Sequence, residues 1–251
     1  MEEESKLFTL MVVSENPDGV IAKYDASREV EPYVKFHYKD SGKLRKKAIK
    51  TVGELLENAG SIGLTPFMKD HFEDRLRTLK KMSDFEYYTA ISTGCSYDAE
   101  GNAMTTENPD GKWISCKIGG NFCSPLKLKD GGVSLQARAG NVDWESMHMS
   151  NVELYRTTWK LYHGEKKPES DIEKQIYSNV KYQKRYFDGF GSEEDFVNYS
   201  CSYWCYAYAD DEKWVDADGH KDYDWITGFY ERFVKKLKPD DLVTIFECMK
   251  G

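Results

Sequence analysis

The amino-acid sequence predicts an α+β fold: an antiparallel or mixed sheet with helices on one side, in a ferredoxin-like arrangement with insertions. Short apolar runs of strand length open and close the chain at residues 7–13 and 242–248. Segments with helical spacing, such as residues 222–238, are interspersed among the strand-like runs. Several of those runs are separated only by short turns, which is typical of hairpins.

The composition is that of a globular chain with a sizeable core. Of the 251 residues, 40% are hydrophobic and 31% are charged. No repeat, low-complexity tract or flexible linker interrupts the sequence, so we expect a single α+β domain over residues 1–251. Aromatic residues make up 14%. The large apolar surface of these aromatic side chains must pack in the core or contact a partner.

Local patterns place the individual elements. Alternating or continuous apolar runs predict strands at residues 7–13, 33–38, 85–91, 112–118, 133–138, 199–209, 213–215 and 242–248, with 133–138 a candidate partner of 112–118. Capping residues and helical spacing predict helices at residues 51–60, 65–79, 170–187 and 222–238. The aromatic and β-branched segment 152–162 fits either a strand or a helix.

Charge and targeting signals restrict the partners. The net charge is −8, which argues against a long nucleic acid as a partner, although a local basic pocket for a small anion fits. Residues 1–6 are acidic and do not form a signal peptide, and no apolar stretch approaches the length of a membrane span. We therefore expect a cytoplasmic protein without membrane contact.

The cysteines and histidines show no metal-ligand spacing. No C-x-x-C pair is present, and Cys201 and Cys205 on one strand would lie ~13 Å apart, too far to share a zinc ion. In a chain without a secretion signal we expect all six cysteines to be reduced. We predict no metal site and no cofactor.

No catalytic signature stands out. The sequence lacks a phosphate loop, a G-x-G-x-x-G motif and an H-E-x-x-H motif. The acidic pairs Asp210-Asp211 and Asp240-Asp241 lie in predicted turns, where solvated or capping roles are usual. Enzymatic activity is the less favoured interpretation, and a nucleophile and base that meet only in the folded chain remain open.

One region combines features of an anion site. Gly119, Gly120 and Asn121 follow a predicted strand, where backbone N–H groups of a glycine bend can converge on an anion. Cations that could neutralise a phosphate are Lys112, Lys117, Lys127, Lys129 and Arg138. Aromatic rings that could stack on a base are Tyr97, Trp113, Phe122, Trp214 and Trp225. The alternative is a strand-ending bend, surface lysines and core tryptophans.

Several motifs resemble an uncharacterised protein family of bacteriophages and Gram-positive bacteria. Tyr97-Asp-Ala-Glu-Gly-Asn, then Asn108-Pro-Asp-Gly-Lys-Trp and Gly119-Gly120, is similar to the family pattern Y-D-x-x-G-N followed by N-P-x-x-K-W-D-W-Y-x-x-G-G-R-W. Similar stretches are Val30-Glu-Pro-Tyr, the hairpin at Trp214 with its following helix, and Pro239-Asp-Asp near the closing strand. The likeness covers most of the chain in motif order.

The chain departs from that pattern in three motifs, where D-W-Y is Ile114-Ser115-Cys116, G-G-R-W ends in Asn121-Phe122, and D-C-H is Glu247-Cys248-Met249. Ile114 replaces an Asp, Asn121 replaces an Arg, and Met249 replaces the His of the closing D-C-H. A reaction carried by those groups in the family would be lost or changed here. The resemblance implies no particular activity, because the family has none assigned.

The resemblance implies a purpose for a small-ligand site. A non-enzymatic phage-type protein in the host cytoplasm could bind a small anionic ligand or nucleotide and sequester an immune signal. The alternatives are a protein–protein inhibitor of a host defence protein, which exposed Tyr and Trp residues would serve, and an unrecognised enzyme. A homodimer is expected if the aromatic surplus is exposed.

Overall fold

The computed structural model describes residues 7–60, 62–121 and 123–250. The chain forms two compact units. The first comprises Met1–Arg28 and Pro109–Gly251, and the second, Glu29–Asn108, is inserted between them. The division into two compact units does not test the expectation of a single domain, which remains a prediction.

The first unit begins with a strand and a short helix and continues after the insertion. Its strands are β1 (Leu7–Val13), β5 (Trp113–Ile118), β6 (Leu126–Lys127), β7 (Val133–Ser134), β8 (Gln136–Arg138), β9 (Ala207–Asp210), β10 (Trp214–Asp216) and β11 (Leu242–Lys250). Its helices are α1 (Pro17–Ala22), α5 (Trp144–Met147), α6 (Val152–Tyr162), α7 (Asp171–Val180), α8 (Lys184–Phe187), α9 (Glu193–Cys201) and α10 (Asp222–Arg232).

The main sheet of the first unit has the order β10-β9-β1-β11-β5, and β8 pairs with a further part of β11. β1 and β11 are antiparallel, with Leu7 opposite Met249 and Val13 opposite Val243. β1 and β9 are parallel. The sheet is therefore mixed, and its central pair joins the beginning and the end of the chain.

Alternation along β11 divides the core into two layers. Val243 and Ile245 face a cluster built with Trp225 and Phe229 of α10. Phe246 and Cys248 face the other side, where Val20 and Ile21 of α1 pack. Large buried side chains thus lie on both faces of the sheet.

Helices α6, α7, α8 and α9 form a third apolar cluster. Phe196 of α9 is buried and contacts Trp159 of α6 and Phe187 of α8 with ring centroids 5.6 and 5.1 Å apart. Ser192 begins α9 by accepting from the Asp195 N–H at 3.1 Å. This cluster absorbs part of the aromatic surplus.

The second unit combines a small antiparallel sheet with three helices. The strands β2 (Glu29–Phe36), β3 (Ser96–Tyr97) and β4 (Ala103–Glu107) lie in the order β2-β4-β3, and the helices are α2 (Ser41–Glu57), α3 (Pro66–Lys81) and α4 (Asp84–Ile91). Tyr88 is the buried aromatic of this unit, and its hydroxyl donates to the Gly101 carbonyl at 2.8 Å.

The chain leaves and re-enters the first unit at one place. The Ala26 N–H donates to the Trp113 carbonyl, and the Lys112 N–H donates to the Tyr24 carbonyl, both at 2.7 Å. The two crossing points of the insertion are therefore hydrogen-bonded to each other within the first unit.

The predicted α+β class with a mixed sheet is confirmed, and the ferredoxin-like arrangement is not. The strands expected at residues 7–13, 112–118 and 242–248 are present as β1, β5 and β11. The open segment 152–162 is the helix α6. Asp210 ends β9, where its carboxylate accepts from the Glu212 and Lys213 N–H groups in the expected hairpin turn.

Two strand predictions are wrong. Residues 84–91 form the helix α4, because Ser83 and Glu86 make a complete capping box ahead of the aromatic run. Residues 193–201 form α9, and strand structure begins only at Ala207. In both segments a helix start upstream outweighs the strand propensity of the aromatic residues.

Three further boundaries and pairings differ. Thr51 does not begin a helix, because α2 already starts at Ser41. The helix expected over residues 170–187 is divided into α7 and α8. Strand β8 pairs with β11 and β7 with β6, so neither pairs with β5.

The expectation that all six cysteines are reduced is wrong for two of them. Cys116 of β5 lies directly opposite Cys248 of β11, with Cα atoms 4.1 Å apart, and the two form a disulfide. Their separation of 132 residues hides this pairing from the sequence. Cys95, Cys123, Cys201 and Cys205 are free.

A thiol count tests this disulfide. Protein purified without reductant and unfolded in denaturant should show four reactive thiols, and prior reduction should raise the count to six. The Cys248→Ser variant should show one additional thiol from its unpaired Cys116. Six thiols in unreduced protein would contradict the pairing.

Candidate functional site

The three predicted tryptophans are divided between the two faces of the main sheet. Trp113 and Trp214 are half-buried against the α1 layer, and their indole N–H groups donate to the Ile21 carbonyl at 3.2 Å and to Asp216 at 2.8 Å. Trp225 is buried in the α10 layer and donates to the Cys205 carbonyl at 2.9 Å. These three rings do not share one cavity.

Three of the five predicted cations pair with carboxylates. Lys112 lies 3.5 Å from Asp216, and Lys117 lies 3.1 Å from Glu247. Arg138 forms an ion pair with Glu15 and also donates to the Asp240 carbonyl at 2.7 Å. These contacts neutralise three of the charges that the sequence analysis assigned to phosphate binding, and leave Lys127 and Lys129 bonded to carbonyl groups.

The predicted glycine bend lies over a carboxylate. Gly119 and Gly120 have φ angles of 68° and 147°, and a Cβ on Gly120 would meet the Glu247 carboxyl group. Glu247 is only 4% exposed. The Gly119 N–H already donates to the Ile245 carbonyl at 2.9 Å, and the Glu247 carboxyl group lies against Gly120, so the bend is occupied by groups of the chain itself. Asn121 follows the bend and is exposed.

Two smaller cavities contain members of the predicted set. A cavity of about 190 Å³ includes Lys112 and Trp214 beside Asp216, Asp218 and Lys250, and one of about 460 Å³ includes Gly120. Tyr97 belongs to the second unit, and Phe122 lies outside the described residues. The thirteen candidate residues of the sequence analysis therefore do not converge on one described cavity.

A larger cavity of about 540 Å³ lies in the first unit at the end of α9. Its volume falls in the usual range for small-molecule sites. Its walls come from β1, the segment around Pro125, the segment that precedes α6, and the chain between α9 and β9. Among its lining residues are Thr9, Ser124, Lys127, Ser150, Ser200, Ser202, Tyr203, Trp204 and Cys205.

The chain after α9 is held by hydrogen bonds on both sides of the cavity. The Ser202 hydroxyl donates to the Asn198 carbonyl at 2.6 Å, and the Tyr206 N–H donates to the Thr9 hydroxyl at 3.2 Å. The Met149 N–H donates to the Cys201 carbonyl at 2.7 Å. The helix end, β1 and the segment before α6 are thereby joined around the cavity.

Strained backbone flanks Ser150 in the cavity wall. Met149 and Asn151 have φ angles of 55° and 60°, and no other non-glycine residue in the described chain has a positive φ. Such strain is often found at binding sites. Asn151 is the N-cap residue of α6, but its side chain does not accept a hydrogen bond from the helix. The first N–H groups of α6, which follow Ser150 closely in the chain, are therefore not capped by a side chain.

The polar groups of the cavity are suited to an anion. Lys127 is the one charged residue in the lining, and no described carboxylate lies within ion-pair distance of it. Its Nζ donates to the Ser146 carbonyl at 3.2 Å. The Ser200 hydroxyl is buried and has no hydrogen-bond partner. A buried hydroxyl that bonds to no other described residue can donate to a group bound in the cavity.

The buried thiol and phenol of the cavity are protonated at neutral pH. Burial raises the pKa of Cys205 to about 12 and raises the pKa of Tyr203 well above its ordinary value. The Tyr203 oxygen and the Cys205 sulfur lie 3.8 Å apart. A thiol with so high a pKa is a poor nucleophile.

His148 fixes the backbone of the cavity wall. Its Nδ1 accepts from the Tyr203 N–H at 3.3 Å, and its ring stacks on Tyr230 with centroids 3.8 Å apart. Burial lowers the pKa of His148, while the nearby Glu231 opposes that shift. The hydrogen bond requires an unprotonated Nδ1, which the low pKa provides.

Sequence reasoning missed this cavity because it assigned its main wall to a strand. The signal that could have indicated it is Ser200-Cys-Ser-Tyr-Trp204, where small hydroxyl residues and one indole follow a helix end. Lys127 was among the proposed cations, but nothing in the sequence places it beside Ser200.

No family model, curated protein or solved structure matches this chain. In the part of the chain that the structure describes, no helix is long and apolar enough to cross a membrane. The same residues contain no group of three or more His, Cys, Asp or Glu side chains that could hold a metal ion. The geometry of the site is therefore the basis for a functional proposal.

The close approach of Gly120 to Glu247 predicts a stability difference between two glycine substitutions. Gly131→Ala introduces a side chain at a φ of 87° into open space and should cost about 1 kcal/mol. Gly120→Ala adds a clash with the Glu247 side chain and should cost about 1–3 kcal/mol more, as overpacking does. Urea unfolding measures both, and equal losses would contradict the contact.

The lowered pKa of His148 predicts a pH dependence. The folded protein favours the neutral ring, so this contribution to stability is fully present above the ordinary pKa of about 6.5 and is lost as the pH falls through the folded value. His148→Gln should flatten the decline in melting temperature between about pH 7 and pH 5. An unchanged decline in that variant would exclude the contribution.

Proposed function

We propose that the chain binds a small phosphate-bearing ligand, without transforming it, in the cavity at the end of α9. The observation that supports the proposal most directly is the charge of the cavity lining. Lys127 is the one charged residue of that lining, although the protein as a whole has a net charge of −8. A cationic cavity on an acidic chain selects small anions over long polyanions, which the remaining surface repels.

The hydrogen-bond donors of the cavity support a phosphate in particular. The Ser200 hydroxyl forms no hydrogen bond with another described residue, and the Lys127 Nζ donates to the Ser146 carbonyl. Ser150 lies beside the uncapped start of α6, where N–H groups and the helix dipole favour negative charge. Together these groups offer several donors to one compact anion.

Trp204 supports a planar group attached to that anion. Its side chain lines the cavity and is 40% exposed, although the adjacent Tyr203 and Cys205 are buried. Stacking of a nucleobase on an indole contributes ~1–3 kcal/mol. The combination of Trp204 and Lys127 fits a nucleotide.

The three buried free thiols of the first unit support binding without reaction. Burial raises the pKa of Cys201, Cys123 and Cys205, so none is activated as a thiolate. The lining contains no carboxylate or histidine that could serve as a general base. Sequestration of a nucleotide immune signal by a phage-type protein in the host cytoplasm is the purpose that the sequence resemblance adds to this proposal.

A second candidate function rests on the apolar surface of the second unit. Phe67 and Phe85 are 77% and 63% exposed there, and Ile62 is 49% exposed. Exposed aromatic residues of this kind are common at protein interfaces. This surface favours the alternative of an inhibitor that binds a host defence protein, and the same residues would serve a homodimer.

Thermal unfolding with a panel of cyclic and linear nucleotides, with inorganic phosphate in parallel, tests the binding proposal. A ligand at 100 times its Kd stabilises the fold by ~2.7 kcal/mol, which raises the Tm by roughly 5–10 °C for a chain of this size. The bound ligand should be recovered intact after denaturation. If no nucleotide and no phosphate shifts the Tm, the proposal is wrong.

Matched substitutions locate the ligand. Lys127→Gln should weaken binding by about 10–100-fold through loss of a charge-assisted hydrogen bond. Lys129→Gln is the control, because Lys129 is also exposed but its Nζ donates to the Gly140 carbonyl at 2.7 Å, outside the cavity. Equal effects of the two substitutions would show that only net charge matters.

Ser200→Ala separates binding from folding. The Ser200 hydroxyl bonds to no described residue, so its loss should not lower the free energy of unfolding by more than about 0.5 kcal/mol and should still weaken ligand binding. Ser202→Ala should cost about 1 kcal/mol of stability, because Ser202 donates to the Asn198 carbonyl.

A further inference from the structure

A second cavity of about 540 Å³ lies against the opposite side of α9. Asp195 and Tyr199, one helical turn apart, face it, whereas Ser200 and Cys201 face the cavity described above. The remaining walls come from α8, the turn that follows it and the start of α10. The residues that line it are Arg185, Tyr186, Gly189, Phe190, Gly191, Asp195, Tyr199, Asp222 and Tyr223.

Four aromatic rings surround this space in sequence. The centroids of Tyr186 and Phe190 are 5.4 Å apart, and those of Phe190 and Tyr199 are 5.2 Å apart, both in edge-to-face geometry. Tyr199 and Tyr223 are nearly parallel, with centroids 6.4 Å apart. The four rings therefore lie close to one another at several different angles around the cavity.

The rings stay neutral and the cavity carries a net negative charge. Burial raises the pKa of Tyr199 and Tyr223, so both phenols are protonated at neutral pH. Asp195 accepts from the Tyr223 hydroxyl at 3.1 Å, which orients that ring. Asp195 and Asp222 contribute two negative charges to the lining, and Arg185 contributes one positive charge.

The cations of the chain that contact aromatic faces do so elsewhere. Arg232 lies 4.7 Å from the Trp225 ring, and Lys181 lies 4.8 Å from the Tyr182 ring. None of the cation–π pairs within the described residues uses the four rings of this cavity. None of the four rings is therefore already occupied by a cation of the described residues.

We propose that this cavity binds a small molecule through a quaternary ammonium group. Such a cation is bulky and weakly hydrated, carries no N–H donors, and is recognised by several aromatic faces with a carboxylate nearby. The four rings supply the faces, and Asp195 and Asp222 supply the charge. The volume exceeds that of a trimethylammonium group, which leaves room for the remainder of the molecule.

Choline and its neutral carbon analogue, in which a tert-butyl group replaces trimethylammonium, test the proposal directly. Isothermal titration of the full chain should detect choline, and the neutral analogue should bind at least about tenfold more weakly, because it has the same shape without the charge. Equal binding of the two probes would reduce the site to an apolar cavity and overturn the proposal. Failure of choline to bind at millimolar concentration would overturn it as well.

Substitutions at Tyr223 locate the probe. Tyr223→Leu should weaken choline binding by about tenfold, whereas Tyr223→Phe keeps the ring and should retain most of the affinity. Tyr182→Leu is the matched control, because Tyr182 is 81% exposed and does not line the cavity. Equal losses in Tyr182→Leu and Tyr223→Leu would contradict the assigned site.

Two further variants separate this site from the proposed phosphate site. Asp195→Asn should weaken choline binding and leave nucleotide binding unchanged, and Lys127→Gln should do the reverse. Loss of choline binding in Lys127→Gln would overturn the separate site. Should Tyr223→Leu fail to fold, the comparison of choline with its neutral analogue on the unmodified chain still decides the question.

Discussion

The pairing of β1 with β11 is the interaction on which the first unit depends. These central strands are distant in the sequence, and each pairs with further strands. β9 pairs with β1, and β5 and β8 pair with β11. Both faces of the pair are buried, so both helical layers pack against residues of these two strands. Thr9 and Ile245 of the same strands form part of the wall of the cavity at the end of α9. Closing so long a loop costs entropy that only the completed core offsets.

The sequence predicted the elements whose signals were unopposed. Apolar runs identified β1 and β11, and acidic residues around Asp210 identified the hairpin turn. It failed where two local signals compete. Residues 85–91 are rich in aromatic and β-branched side chains, yet the Ser83–Glu86 capping box decides for a helix. At Thr51 the capping-box motif is misleading instead, because the helix α2 begins at Ser41 and continues through Thr51.

The site could be predicted only in its chemical character. The sequence predicts a glycine bend with nearby cations and aromatic rings, but several of those cations acquire partners from distant segments. Lys117 meets Glu247, and Arg138 meets Glu15, 123 residues away. Conversely, Lys127 and Ser200 line one cavity although nothing local connects them. Ion pairing in the folded chain therefore decides which cations remain for a ligand, and residue spacing does not reveal it.

The hydrogen bonds between Ala26 and Trp113 and between Lys112 and Tyr24 give the first unit an unusual tolerance. The polypeptide leaves and re-enters the first unit at backbone positions that are hydrogen-bonded to each other, so the two ends of the inserted segment Glu29–Asn108 lie close together. Each doubling of the length of such a segment costs only about 0.6 kcal/mol in closure entropy. Segments of very different size could occupy this place without disturbing the sheet. Variation between related chains should therefore concentrate at this junction and spare the strands that flank it.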